Sequence, residues 1–515
     1  MSSKRIWLND SNNEVDLWEL AREKAGMHRY STLFTAQDVR DFLSTEKKIQ
    51  DAVEWCRKTG VTHVFIESFR DAYQAERENL LQAKKIFQNN GFQVSGCVTT
   101  TRVGKVSTGW NLISCYTDIA TQNRLQEIFE YTASIFDEIM IDDFLFTDCS
   151  CPECEEARKK GMVIIGDNKY PVQGEAWRDY RCELMVRLSD DRILKPVKRI
   201  NPKAKVIIKY PQWYEMFQDR GYDVKRETEI FDRIWVGTET RNYNDARWGG
   251  VVQYAAYFIM RWLGEIGGEK CGGGWFDPYG TTEETYVEQA RQTILGGARE
   301  SLLFCYGSLR EGARATGPRN VSALRRNMPE LLEVAINVSK RKPIGVNAYK
   351  PSNSHPGRES RVFDFLGMLG VPLVPCHEFP EKAKAAFFSF HSLEDPSLIM
   401  NLEKLVAQGA PVVITDGLAD AVRGKVTLGL QNVEILSVNG NPKSLLEMSE
   451  KEINHIRNKV LKPFGVEFEA PSWTGLYIYN DGSWVIENFR DEPISVVLNG
   501  RRIRIEPRNW TYEWK

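Results

Sequence analysis

The chain has 515 residues, too many for one ordinary hydrophobic core, so two or three domains are expected. A hydrophobic content of 42%, a charged content of 27% and a net charge of −2 describe a soluble globular protein with no general attraction to nucleic acid or anionic membranes. No stretch approaches a membrane-spanning length, and MSSKRIWLNDSNNEVD lacks the apolar core of a secretory signal, so neither a membrane span nor export is expected. The ten cysteines are too sparse for a disulfide scaffold, which fits a reducing cytoplasm.

In chain order, strand-like runs alternate with helical periods up to about residue 340. The runs are STLFTA (31–36), THVFIES (62–68), FQVSGCVTT (92–100), EIMIDDF (138–144), KVIIKYP (205–211), RIWVGTE (233–239), CGGGWFD (271–277) and SLLFCYG (301–307). Eight such units in series, with no Gly-rich phosphate loop, predict a (β/α)8 TIM barrel over 1–345 rather than a doubly wound sheet. KRKPIGVNAYKPSNSHPGRES reads as a linker. A shorter α/β alternation over 346–455 predicts a second α/β domain. The short alternating strands and Asn-Asp-Gly and Asn-Gly turns of 456–515 predict a small antiparallel β domain.

In a barrel, chemistry gathers where the strands end at the C-terminal face. Glu67, Asp142, Asp143, Lys209, Trp213, Tyr214, Glu239, Arg241, Trp275, Asp277, Tyr279, Tyr306 and Arg310 are expected there. Carboxylates among cations and aromatic rings suit glycosidic bond cleavage. One carboxylic acid protonates the leaving oxygen, and a second carboxylate attacks or activates water. Asp142, Asp143, Glu239 and Asp277 are the candidates, and Trp213, Trp235, Trp275 and Tyr279 are expected to wall Asp143. Of two successive strand residues one points inward, so only one of Asp142 and Asp143 is expected to be chemical unless the strand has already bent. Glu67 has a structural reading as an ion-pair partner, Glu239 can pair with Arg241, and Lys209 and Arg241 can either hold an anionic substrate or neutralise the acids. A lyase or other uronate-processing enzyme, and a non-catalytic carbohydrate-binding barrel, stay open beside the hydrolase.

Cys149, Cys151 and Cys154 offer three soft ligands in six residues, and Cys115 follows the neighbouring strand. Four thiolates would close the coordination of a structural Zn2+. The loop IDDFLFTDCSCPECEEARKKG, with Cys115 ahead of it, resembles the strand-four zinc loop of family 42 glycoside hydrolases, the barrel β-galactosidases. YVEQARQTILGGARESLLFCYGSLR is similar to their passage from the seventh helix to the eighth strand. The resemblance implies an oligosaccharide or glycoside substrate, and it implies that 346–455 is a flavodoxin/amidotransferase-like domain that mediates homo-oligomers, a trimer first. The chain departs from that family in carrying Asp142-Asp143 where the family has Asn-Glu, and Asp277 where it has a nucleophilic glutamate. The pairing of Asp143 with Glu239 is similar instead to the barrel α-galactosidases.

Overall fold

The computed structural model describes residues 16–244, 250–313 and 316–515. Eight parallel strands form the first sheet: β1 (Arg29–Phe34), β2 (Val61–Arg70), β3 (Gln93–Val98), β4 (Glu138–Ile141), β5 (Lys205–Tyr210), β6 (Arg233–Gly237), β7 (Cys271–Phe276) and β8 (Glu300–Leu303). β8 pairs with β1 and β1 with β2, so the sheet closes into a TIM barrel. Each predicted run overlaps one of these strands.

Every strand gives the barrel interior one side chain at the same level: Leu33, Phe65, Cys97, Met140, Ile207, Trp235, Trp275 and Leu302. This layer fills the barrel, and it sets the position of everything above it. Side chains two residues further along a strand return to the same face. That step reaches Glu67, Thr99, Asp142, Lys209 and Asp277, so a polar layer lies directly over an apolar floor.

The second sheet has five parallel strands, Val346–Tyr349, Leu373–Cys376, Ala386–Phe388, Val412–Thr415 and Val433–Leu436. Counted along the chain their order is 2-1-3-4-5, the flavodoxin-like arrangement. The stretch expected to be a linker is therefore built into structure. Val346–Tyr349 is an inner strand of this sheet, and Pro343–Ile344 pairs with Thr474–Tyr479 in the C-terminal β unit. The density of Pro, Ser and Gly hid two strands too short to show a period.

The C-terminal unit is antiparallel, with Thr474–Tyr479, Trp484–Asn488 and Trp510–Glu513 in one sheet and Phe468–Glu469, Ile494–Leu498 and Arg501–Ile505 in another. Asn499 and Gly500 both have positive φ, as the tight turn between the last two strands requires. The unit covers the barrel helix Glu283–Leu295: Gln292 donates to Glu487 at 2.7 Å and accepts from Tyr477 at 2.9 Å.

A buried polar chain joins the barrel to the second sheet. In the segment after β5, Glu215 Oε2 accepts from His391 Nε2 at 2.8 Å, and its Oε1 accepts from the Arg361 amide. The hydroxyl of Ser354 meets His391 Nδ1 at 2.9 Å and accepts from Lys350 Nζ at 3.2 Å. Burial and the neighbouring Lys350 push the His391 imidazole down to about 4, so it is neutral at pH 7. Among the described residues no helix is long and apolar enough to cross a membrane.

Candidate active site and cysteine cluster

Lys209 is the centre of the polar layer. Its ammonium lies 4.3 Å over the Trp275 ring and donates at 2.8 Å to both Asp143 Oδ2 and Glu239 Oε1, with Asp142 Oδ1 3.8 Å away. Burial works against this charge, but the three carboxylates outweigh it and hold the ammonium above its ordinary range.

β4 ends at Ile141, so the chain has bent before the two aspartates and both reach the site. Asp142 follows the strand alternation and is fully engaged. Its Oδ1 accepts from the Asp143 amide at 2.8 Å, and its Oδ2 accepts from Arg70 at 2.7 Å and Thr99 at 3.1 Å. Burial favours its neutral form, yet Lys209 and Arg70 prevail and the carboxyl lies below its ordinary value. Asp143 sits in the bend, with its side chain 19% exposed. Burial, then the charges of Asp142 and Glu239, push it up to about 7 against the pull of Lys209. Two adjacent carboxyls thus have opposite shifts, one held ionised and the other ready to carry a proton near neutrality.

Glu239 stands two residues beyond Gly237, where a Cβ would approach Glu239 Oε2 to 2.6 Å. Only glycine leaves room for that carboxylate. Oε1 is taken by Lys209; Oε2 is buried and carries no hydrogen bond among the described residues. Asp277, in contrast, is held at both oxygens, by Arg241 Nη2 at 2.5 Å and by the Tyr279 amide at 3.0 Å. Burial foremost, with help from Glu239 and against Arg241, raises it to about 6.

Not every expected residue reaches the cluster. Glu67 lies buried in the same polar layer but is turned to Arg70, paired with it at both oxygens and accepting from the Ala36 amide. Burial raises its carboxyl despite Arg70. Tyr214 turns away and donates to Asp364 of the second domain at 2.6 Å, because the segment after β5 packs outward against that domain. Tyr306 is packed among Phe34, Phe42 and Trp55, and the Arg310 guanidinium lies 4.1 Å over Phe42. Trp235 and Trp275 are floor, not wall. Tyr279 donates to or accepts from Ser308 at the rim, and Trp213 lines a cleft of about 740 Å3 with Asp148, Arg220, Tyr243 and Arg361. None of Asp142, Asp143, Glu239 and Asp277 lines that cleft. Arg70 and Thr99, overlooked in the sequence, were signalled only by their places on β2 and after β3 beside Glu67 and Asp142.

The four expected cysteines come together, all buried, with their sulfurs within 4.8 Å of one another. Cys115 lies 3.5 Å from Cys154 and 3.7 Å from Cys151, and Cys151 lies 3.5 Å from Cys154. A tetrahedron of thiolates about 2.3 Å from a metal has edges of roughly 3.8 Å, so the spacing fits one ion. Cys151 caps the helix Pro152–Lys159, and Pro152 at its first position fixes the turn that brings Cys154 alongside. Lys105 and Thr117 direct donors at Cys151 and Cys154.

A family model described as probable glycosyl hydrolase, catalytic domain, matches residues 14–325. An uncharacterized protein of Saccharolobus solfataricus is 26% identical over 353 residues, which is 64% of this chain and 57% of that protein, so the match spans little more than half of that relative. A catalytic mutant of a GH42 β-galactosidase from G. stearothermophilus has a similar structure, with a TM-score of 0.64 at 12% identity, covering 94% of this chain and 97% of that one. An apo GH42 exo-carrageenase from Bacteroides ovatus gives a TM-score of 0.52 at 10% identity over 94% of this chain and 78% of that one. At such identities the likeness is one of fold.

Proposed function

The chain belongs to the family of probable glycosyl hydrolases by the catalytic-domain match over residues 14–325, and from that premise we propose that it hydrolyses a glycosidic bond with retention, Asp143 giving the proton and Glu239 attacking the sugar. One observation carries the assignment. Asp143 and Glu239 share the Lys209 ammonium at 2.8 Å each, and the second oxygen of Glu239 is buried without a partner. Their nearest oxygens are therefore less than two hydrogen-bond lengths apart. That suits the spacing of about 5–5.5 Å used in retention, not the roughly 6.5–9.5 Å that leaves room for an inverting water.

In this reading Asp143, with a carboxyl at about 7, enters protonated and transfers its proton to the leaving oxygen as the carbon–oxygen bond breaks. Glu239 Oε2 bonds to the anomeric carbon. Asp143, now a carboxylate, then takes a proton from the water that displaces Glu239. Lys209 holds Glu239 through Oε1 and leaves Oε2 to react. Asp142 aims Asp143 through the backbone amide. Asp277, tied at both oxygens, suits contact with sugar hydroxyls better than attack. The uronate-processing alternative draws no support from Lys209 and Arg241, since both carry carboxylates of the chain itself.

The cysteine cluster is suited to Zn2+, held by Cys115, Cys149, Cys151 and Cys154. Such a closed ion would supply folding energy and no step of the reaction. The resemblance to family 42 supports a homotrimer through the second domain.

Aryl α- and β-glycosides of galactose, glucose and mannose, with carrageenan oligosaccharides after the second structural neighbour, form the first panel. Turnover of one of them that Asp143→Asn abolishes in a folded, metal-replete protein is the expected result. Calorimetric sugar binding with no turnover of any of them would overturn the hydrolase in favour of a binding barrel.

A further inference from the structure

Trp110 is a large aromatic side chain that stays partly exposed beside the loop after β4. It is 43% exposed, in the segment between β3 and Cys115, yet it is held over the residues that follow Asp143. Its ring lies 5.6 Å from Phe144, tilted by 43°, and 6.4 Å from Phe146, nearly parallel at 23°. Phe144 is the next residue after the proposed proton donor.

The aim of that ring is set by Asp148. Asp148 Oδ2 accepts from the Trp110 amide at 2.7 Å, and Oδ1 accepts from the Ser107 hydroxyl at 2.5 Å. Ser107 in turn accepts from the Gly109 amide. Gly109 lies so close to this carboxylate that a Cβ would come within 2.4 Å of it. Thr108 accepts from the Ser150 amide at 2.8 Å, and the Cys115 amide donates to the Lys105 carbonyl. The segment carrying Trp110 is thus closed on itself and fastened to the cysteine loop through Ser107, Thr108 and Trp110.

We propose that Trp110, with Phe144, is the platform on which the leaving-group sugar stacks. The inference rests on the glycosidase reading and deepens it. A proton donor faces the leaving group; Phe144 directly follows Asp143 in the chain and carries the Trp110 ring, and the Asp143 side chain is more exposed than that of Glu239, 19% against 6%. The flat face of a tryptophan offers an apolar surface to the C–H face of a neutral sugar at little cost in side-chain entropy. Trp110 is then a binding residue and Asp148 a positioning residue, and the cysteine cluster acts on substrate affinity through them.

The test compares a disaccharide with the glycosyl fluoride of the same non-reducing sugar, beginning with galactose, since fluoride leaves no ring to stack. In Trp110→Ala the ratio of kcat/KM for the disaccharide to that for the fluoride should fall about tenfold, mainly through KM; a tenfold change corresponds to about 1.4 kcal/mol. Asp148→Ala should lower the same ratio, and Asp148→Asn, which keeps an acceptor, should restore it. An unchanged ratio in Trp110→Ala removes the platform, and an unchanged ratio in Asp148→Ala removes the positioning role. If neither substrate turns over, the hydrolase reading fails by itself and calorimetry with galactotetraose decides the platform. Binding that Trp110→Ala weakens supports it, whereas equal binding, or none to the wild type, overturns it.

Discussion

Lys209→Met removes the one cation that Asp143 and Glu239 share and leaves a side chain of similar length over Trp275. An opposite charge within about 4–6 Å lowers a carboxyl by roughly 1–3 pH units. The ammonium is 2.8 Å from Asp143, whose carboxyl stands at about 7 with the lysine present. Without it the value should rise to roughly 8–10 by the same rule. A proton donor loses activity as the pH passes its pKa, so the alkaline limb of kcat/KM should move upward by that amount. Stability should follow a definite sign. Asp143 has a folded value above its ordinary 3.8, so the folded protein holds this proton more tightly than the unfolded chain. Its contribution is present at low pH and is lost as the pH rises from about 4 to about 7 in the wild type, and to a higher limit in the variant. Stranding buried carboxylates costs about 3–5 kcal/mol when they are ionised, so the melting temperatures should be closest near pH 5 and furthest apart near pH 9. The assay is a pH–rate profile on the best substrate of the panel beside calorimetric melts. An alkaline limb that stays near 7 in Lys209→Met would show that Asp143 is not the titrating donor.

Glu239→Ala should reduce turnover by at least about a thousandfold, and azide, displacing the leaving group once from the emptied face, should restore part of it as a glycosyl azide of inverted configuration; no azide product, or a retained one, would exclude attack by Glu239. Cys151→Ser should lose the bound metal, about one zinc per chain by elemental analysis in the wild type, and melt earlier by several degrees; an unaltered metal content would remove the cluster as the site. His391 is neutral when folded, with a value near 4 below its ordinary 6.5, so its contribution to stability is lost as the pH falls through that window, and His391→Gln should flatten the acid slope by up to about one proton. Light scattering should return three copies per particle, and a monomer at micromolar concentration would count against trimerisation through the second domain.

Lys209, Asp142 and Asp277 were legible in the sequence because a strand repeats every two residues, and each stands one repeat above a large apolar residue of the barrel floor. The same rule places only one of Asp142 and Asp143 inside unless the strand has bent, and β4 stops at Ile141, so the exception applies. Cys115 was legible since consecutive barrel strands are neighbours, so the segments that follow them meet. Tyr214 was misplaced for the opposite reason. Its partner, Asp364, is 150 positions away in another domain, and no local period reports such a contact. Trp110 left no signal either, because its importance comes from an anchor, Asp148, in a different loop.

The joint between the barrel and the second domain constrains what that domain can do. In a 2-1-3-4-5 sheet a ligand enters the crevice between the C-terminal ends of the first and third strands, where the connections diverge. Here those ends lead to Lys350 and Ser354 on one side and His391 on the other. The space between them is taken by Glu215, delivered by the barrel. The domain holds a piece of its own chain where its relatives in architecture would hold a cofactor. A barrel severed near residue 345 would therefore keep a glutamate evolved for a buried imidazole and lose the abutment of the segment after β5, whose strand carries Lys209. The two units are inherited as one casting, and a graft of either onto another protein would have to bring that joint with it.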